Sequence, residues 1–364
     1  MSIPQLIRTP LTELTGVDHP IVQTGMGWVS GPGLVSATAN AGGLGFLASA
    51  TMTLEELEAA IDRVQERTDK PFGVNLRADA GDAWARAELL IRKKVKVASF
   101  ALAPKRELIE KLKEHDIVVI PSIGAVRHAE KVAAWGADAV MIQGGEGGGH
   151  TSAVPTSILI PSVVAAVDIP VIAAGGFYDG RGLAAALAYG AVGIGMGTRF
   201  LLTSDSAVPD EIKQRYLAAD LAGTVVTTKA DGMPHRLLRT EFIEELEQGG
   251  GLRHLASTVK RSLEFKKLSG LSWPAFVKDG AAMKQASGRT LAQMALAANT
   301  PMLLKAGLVD GDTQAGMLAS GQVVGLINDL PSCDELITRT VREAAGYLQA
   351  AAATRLVDDR QRVA

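Results

Sequence analysis

Short apolar, β-branched runs recur along the first half of the chain. Each is followed by a glycine or polar turn and then by an Ala/Leu/Glu/Lys-rich stretch with helical spacing. The runs are Pro20–Met26, Leu44–Ser49, Phe72–Leu76, Val95–Leu102, Ile117–Ile123, Ala139–Gln143, Pro170–Ala174 and Val192–Met196, eight in all. Helical stretches such as Leu54–Arg67, Ala83–Lys94, Lys105–His115, Val126–Trp135 and Gly182–Tyr189 separate them. The runs are apolar without alternation, which predicts parallel strands covered on both faces. Eight strand–helix units in succession fit an α/β TIM (β/α)8 barrel better than an open doubly wound sheet, which the count alone leaves open.

The rhythm stops after Phe200. Residues 203–209 read as a turn, and the following sequence reads as polar helix without further strands. The expected division is a barrel over 1–207, a smaller, mostly helical cap or substrate domain over 208–325, and a C-terminal helix within 326–364 that packs back on the barrel. The cap carries a glycine loop at 249–251, Trp273, and the cation pairs Lys260-Arg261 and Lys266-Lys267.

Composition narrows the partners more than the fold. The 364 residues are 47% hydrophobic and 21% charged, an ordinary globular mix with material for a sizeable core. A formal charge of −2 argues against a general nucleic-acid binder. The single cysteine, Cys333, excludes a disulfide framework and a cysteine-built zinc site. The N-terminus has no basic region followed by an apolar stretch, and no run of about 18 apolar residues appears. The expectation is a cytoplasmic protein acting on a small molecule, with neither nucleic acid nor membrane as partner and a homodimer left open.

A barrel binds its ligands at the carboxyl ends of its strands. The seventh run ends in Ala173-Ala174-Gly175-Gly176 and the eighth in Gly195-Met196-Gly197-Thr198-Arg199. Glycines there let backbone N–H groups approach a phosphate, although each pair alone also reads as a tight turn. The sixth run ends in Gln143 and leads through Gly147-Gly148-Gly149 to His150. Three glycines before a histidine suggest backbone passing close to something flat or bulky, and a histidine at a strand end can move protons near neutral pH. A dinucleotide fingerprint is disfavoured, because no helix follows this G-x-G directly. Asn75 offers an amide for the edge of a heterocycle, and Met26 a soft surface for a ring. His235 belongs to the cap and is a candidate to face the pocket, whereas His115 and His128 read as surface. No Asp/Glu/His cluster shows metal-ligand spacing, so no metal is expected. A G-x-S-x-G nucleophile elbow is also absent.

Taken in order, Pro20–Met26, Phe72–Asn75, Gln143–His150, Ala173–Gly176 and Gly195–Arg199 resemble the nitronate monooxygenase (2-nitropropane dioxygenase-like) family, which includes flavin-dependent enoyl and quinone reductases. The resemblance implies a TIM barrel with a second domain, holding FMN without a covalent link. It implies phosphate contacts at Gly175, Gly176, Gly195, Met196, Gly197 and Thr198, ring contacts at Met26, Asn75, Gln143 and Gly148, and His150 as the catalytic residue. One departure is Glu146-Gly147-Gly148-Gly149-His150, where the family usually has alanine after the glutamate. The cap segments Gly223–Lys229, Met233–Thr240 and Ala298–Lys305 are similar to a narrower subgroup, dehydrogenases of CoA esters derived from steroid rings in bacterial cholesterol catabolism. That implies a double bond introduced into a hydroxy-methyl-oxo-indane carboxyl-CoA ester, with His235, Arg236 and Arg239 as candidate substrate contacts.

The alternatives are oxidation of small nitronates with O2, an NAD(P)H-dependent quinone or enoyl reductase, and a flavin-binding barrel without catalysis. Lys260, Arg261, Lys266 and Lys267 are further candidate cations for CoA phosphates, though each singly also reads as part of a solvated helix face.

Overall fold

The computed structural model describes residues 7–248, 291–312, 314 and 316–355. The glycine loop at 249–251, Trp273, Lys260, Arg261, Lys266 and Lys267 lie outside them. By its internal packing the chain forms two units, one made of 1–146, 153–207 and 329–364, the other of 147–152 and 208–328.

In the first unit all eight apolar runs become strands. They are β1 (Ile21–Gln23), β2 (Leu44–Ala48), β3 (Gly73–Arg77), β4 (Val97–Ala101), β5 (Val118–Ile123), β6 (Val140–Gln143), β8 (Val171–Ala174) and β9 (Gly193–Met196), with β7 (Gly149–His150) falling in the other unit. The eight form a closed parallel barrel. Val22 of β1 stands opposite both Leu44 and Gly195, so β1 joins β2 to β9 and no edge remains. The helices of this unit are α1 (Pro10–Thr15), α2 (Pro32–Asn40), α3 (Leu54–Gln65), α4 (Ala83–Arg92), α5 (Arg106–Lys113), α6 (Val126–Ala134), α7 (Thr156–Val164), α8 (Gly180–Ala188) and α9 (Thr198–Leu201).

Alternate strand residues serve two cores, as a period of two requires. Val118 and Ile120 point into the barrel with Phe46, Met141 and Ile172, and Leu11 of α1 joins this inner cluster. Val119 between them faces outward and packs with Leu57, Ile61, Leu90 and Leu112 on the surrounding helices. Phe46 fills so much of the interior that a Cβ on Gly73 would lie 2.3 Å from its ring, which explains the glycine opening β3. α3 begins at a capping box: Thr53 Oγ1 accepts from the Glu56 N–H, and Glu56 Oε2 accepts from the Thr53 N–H. The C-terminal helix spans Cys333–Arg355 and packs on α8 and α2.

The second unit contains α10 (Asp210–Leu217), β10 (Thr224–Thr227), β11 (His235–Leu238), α11 (Glu241–Gln248) and α12 (Leu291–Leu308), so the C-terminal helix is α13. Helix predominates, but β10 and β11 stand where the sequence reading expected none. With β7 they make a three-stranded antiparallel sheet in the order β10-β11-β7. Its apolar support is Ala230, Leu237, Ile243, Leu303 and Met317. Among the described residues no helix is long and apolar enough to cross a membrane.

Candidate active site

The first constellation lines the carboxyl ends of the barrel strands. Gly175 and Gly176, directly after β8, have φ of 103° and 81°, a left-handed backbone that glycine adopts without strain. A Cβ on Gly176 would meet only the Glu146 side chain, at 3.4 Å, so the turn presents bare backbone beside that residue. The loop is held from behind by Thr156. Its N–H and hydroxyl lie 2.9 and 2.7 Å from Glu146 Oε2, and the hydroxyl is 3.1 Å from the Gly175 carbonyl. After β9, Gly197 precedes the first turn of α9, and a Cβ there would lie 3.2 Å from Thr24 Oγ1 and 3.5 Å from Met26 Sδ. The fold therefore brings the β1 and β9 ends together. Asn75 on β3, whose Nδ2 donates to Ser99 Oγ at 3.3 Å, packs against Gly25. Gln143 sits half-buried at the end of β6.

Two of the expected positions contribute no side-chain surface. Met196 is 1% exposed and belongs to the core. A Cβ on Gly195 would lie 3.0 Å from Met141 Sδ, so packing accounts for that glycine.

The second constellation lies within the second unit and centres on His150. Gly149 has φ of 72°, and a Cβ on Gly148 would strike the backbone of Ser320 and Gly321 at 2.6 and 2.5 Å. The body passing close to Gly148 is thus the chain itself. β7 pairs with β11 so that His150 stands opposite His235, and the Thr151 N–H donates to the Pro234 carbonyl at 3.0 Å. The two rings lie 4.6 Å apart, tilted by 40°. Between β10 and β11 a turn lifts Asp231 toward them: the Gly232 N–H donates to the Thr228 carbonyl at 2.8 Å, and the Met233 N–H to Asp231 Oδ1 at 3.0 Å. Asp231 Oδ2 then accepts from His150 Nε2 at 2.5 Å.

Asp231 is 4% exposed and His235 is 2%, while the His150 side chain is half exposed. Burial pulls the Asp231 carboxyl upward, but the His150 hydrogen bond and the facing His235 outweigh it and hold the carboxyl below the usual carboxylate range. Burial pushes His235 down. Asp231 opposes this and His150 reinforces it, so the ring is neutral at neutral pH. His235 Nδ1 lies 3.9 Å from Asp231 Oδ2, too far for a hydrogen bond, and neither ring nitrogen has a hydrogen-bond partner among the described residues. The three donor atoms fall within 4.8 Å of one another, a spacing a metal ion can use.

Sequence reading did not single out Asp231 and saw no His/Asp cluster where folding gathers one. Arg236 donates to Thr224 Oγ1 at 3.0 Å, and the exposed Arg239 is 3.9 Å from Glu244.

The described residues form a parallel barrel with glycine turns after its last two strands and, in the second unit, a histidine hydrogen-bonded to a carboxylate; the relatives of the chain make it an oxidoreductase. The chain belongs to the nitronate monooxygenase family, whose family model matches residues 8–89 and 80–343, and the family is one of flavin enzymes. It is 65% identical over 350 residues to the (3aS,4S,5R,7aS)-5-hydroxy-7a-methyl-1-oxo-octahydro-1H-indene-4-carboxyl-CoA dehydrogenase of Mycobacterium tuberculosis, covering 95% of this chain and 99% of that one. The dehydrogenase of the same name from Rhodococcus jostii is 64% identical over 349 residues, covering 96% and 99%. A probable nitronate monooxygenase of Staphylococcus saprophyticus is 33% identical over 289 residues, covering 66% and 81%. Among solved structures, FabK from Thermotoga maritima superposes with a TM-score of 0.78 at 33% identity, covering 95% of this chain and 99% of that one.

Proposed function

We propose that the chain is an FMN-dependent dehydrogenase that introduces a double bond into a hydroxy-methyl-oxo-indane carboxyl-CoA ester in the cytoplasm. The observation that carries this reading is the 65% identity running through nearly the full length of both chains, cap segments included. The first unit supports a mononucleotide. Gly176 and Gly197 offer bare backbone where a side chain would intrude, and the N–H groups of these two turns would take one phosphate group. Met26, Asn75 and Gln143 would hold the ring system, and Gly175, Gly195, Met196 and Thr198 would shape the loops around the phosphate.

When bound, the flavin supplies the acceptor for a β hydride, leaving the chain's own residues to handle the proton. The thioester carbonyl acidifies its α C–H, and His150 takes that proton as general base. With Nε2 donating to Asp231, the basic lone pair of His150 lies on Nδ1. The exposed Arg239 is the candidate contact for CoA phosphates, and Arg236, which donates to Thr224 Oγ1, is a second.

Anaerobic stopped-flow of the flavin-loaded protein tests the reading. The indane carboxyl-CoA ester should bleach the flavin rapidly, and His150→Ala should slow this by about 10²–10⁴ while flavin stays bound. Rapid bleaching by a small nitronate or by NAD(P)H, with none by the CoA ester, would overturn it.

A further inference from the structure

We propose that Asp231 is the positioning residue of this site: its carboxylate fixes the proton of His150 on Nε2 and presents Nδ1 as the base. The inference rests on the reading of His150 as proton acceptor and adds a residue to it.

Three observations carry it. First, the two oxygens of Asp231 have separate tasks, Oδ1 accepting from the Met233 N–H at 3.0 Å and Oδ2 from His150 Nε2 at 2.5 Å. The first anchors the carboxylate to its own turn, so the second points at the imidazole in one orientation. Second, Asp231 is 4% exposed, so water cannot take over as the partner of Nε2. Third, the neighbouring ring does not compete. His235 is neutral, stands 3.9 Å from the same oxygen and makes no hydrogen bond among the described residues. It walls one side of the His150 ring at 4.6 Å and leaves His150 as the hydrogen-bond donor to Oδ2.

The proton balance is complete without another group. The substrate α C–H bond breaks and an N–H bond forms at Nδ1. The freed electron pair becomes the new C=C bond, and the β hydride goes to the acceptor the flavin would supply, while Nε2 keeps its hydrogen and Asp231 stays ionised. Asp231→Asn is the informative change. Its oxygen still accepts from Met233, but its amide donates toward Nε2, which forces the proton of the neutral ring onto Nδ1 and removes the base.

Single-turnover reduction of the flavin-loaded protein by the CoA ester is the readout. Asp231→Asn should retain flavin and slow reduction by about 10²–10⁴. In a His150→Ala background the same change should have no further effect, because its only route is through the imidazole. Multiplying effects in the double variant, or a wild-type rate in Asp231→Asn alone, would overturn the proposal. A wild-type rate in His150→Ala would instead remove the reading of His150 as base. Should Asp231→Asn fail to fold, 15N-histidine NMR of the native flavin-loaded protein decides. Neutral His150 protonated on Nε2 is expected, and the Nδ1-protonated form would overturn the proposal.

Discussion

Gly25 and Asn75 claim the same space: a Cβ built on Gly25 would lie 2.6 Å from Asn75 Cβ and 3.0 Å from its Cγ. One residue is bare so that the other can stand in the middle of β3. Since Cβ cannot swing away, Gly25→Ala should displace β3 or the β1 loop. Overpacking of this kind costs about 1–3 kcal/mol. The expected result is a lower melting temperature together with less flavin retained per chain. An unchanged melt with full flavin would show that the loop gives way freely.

Gly176→Val tests the glycine turn after β8. A β-branched residue at φ of 81° is strained, and its methyl groups would point toward Glu146 and the space assigned to phosphate. Flavin should be lost while circular dichroism still reports a folded barrel. A soluble Gly176→Val protein with full flavin would move the phosphate elsewhere.

Acid should loosen the first unit through Asp329. Arg199, 1% exposed, donates to Asp329 Oδ1 at 2.7 Å, and Arg339 donates to Oδ2 at 2.7 Å. Desolvation raises the Asp329 carboxyl, but the bonds from Arg339 and Arg199 outweigh it and hold it below the usual carboxylate range. A depressed folded value means that the stabilisation is present above the unfolded carboxylate value near about 4 and is lost as pH falls through the folded value. Melting temperature should therefore fall with pH below about 4, and Asp329→Asn should flatten that slope while lowering stability at neutral pH. Equal slopes in the two proteins would remove Asp329 from the acid response.

Cys333 opens α13 at 1% exposure, and burial, with Asp205 nearby, pushes its thiol up to about 12. The thiolate is the reactive form. At pH 8 the native protein should not react with a disulfide reagent, whereas the denatured protein should release one equivalent per chain. Prompt labelling of the folded protein would mean that α13 detaches readily.

The barrel was legible because its signal is local. Seven of the eight apolar runs from Pro20–Met26 to Val192–Met196 contain their strand, and the remaining one, Phe72–Leu76, gives a strand that runs on to Arg77. His150 was legible for the same reason, as a titratable side chain after a strand and three glycines. Asp231 was not, since its significance comes from a hydrogen bond spanning 81 residues and from the pairing of β7 with β11. Nothing in Ala230-Asp231-Gly232 distinguishes it from an ordinary polar turn. β10 had a signal that went unread, the β-branched Thr224-Val225-Val226-Thr227, overshadowed by the polar helices around it.

β7 is two residues long and comes from the stretch between the sixth and seventh barrel strands, while its partner β11 comes from the insertion at 208–328. His150 and the carboxylate it is hydrogen-bonded to are therefore encoded on opposite sides of two barrel strands. Recombination that exchanged only the longer insertion would bring in a foreign turn at 228–233 and leave the resident histidine to find a new acceptor. An exchange between relatives therefore keeps the His150–Asp231 contact only when the short stretch 147–152 and the turn at 228–233 move together.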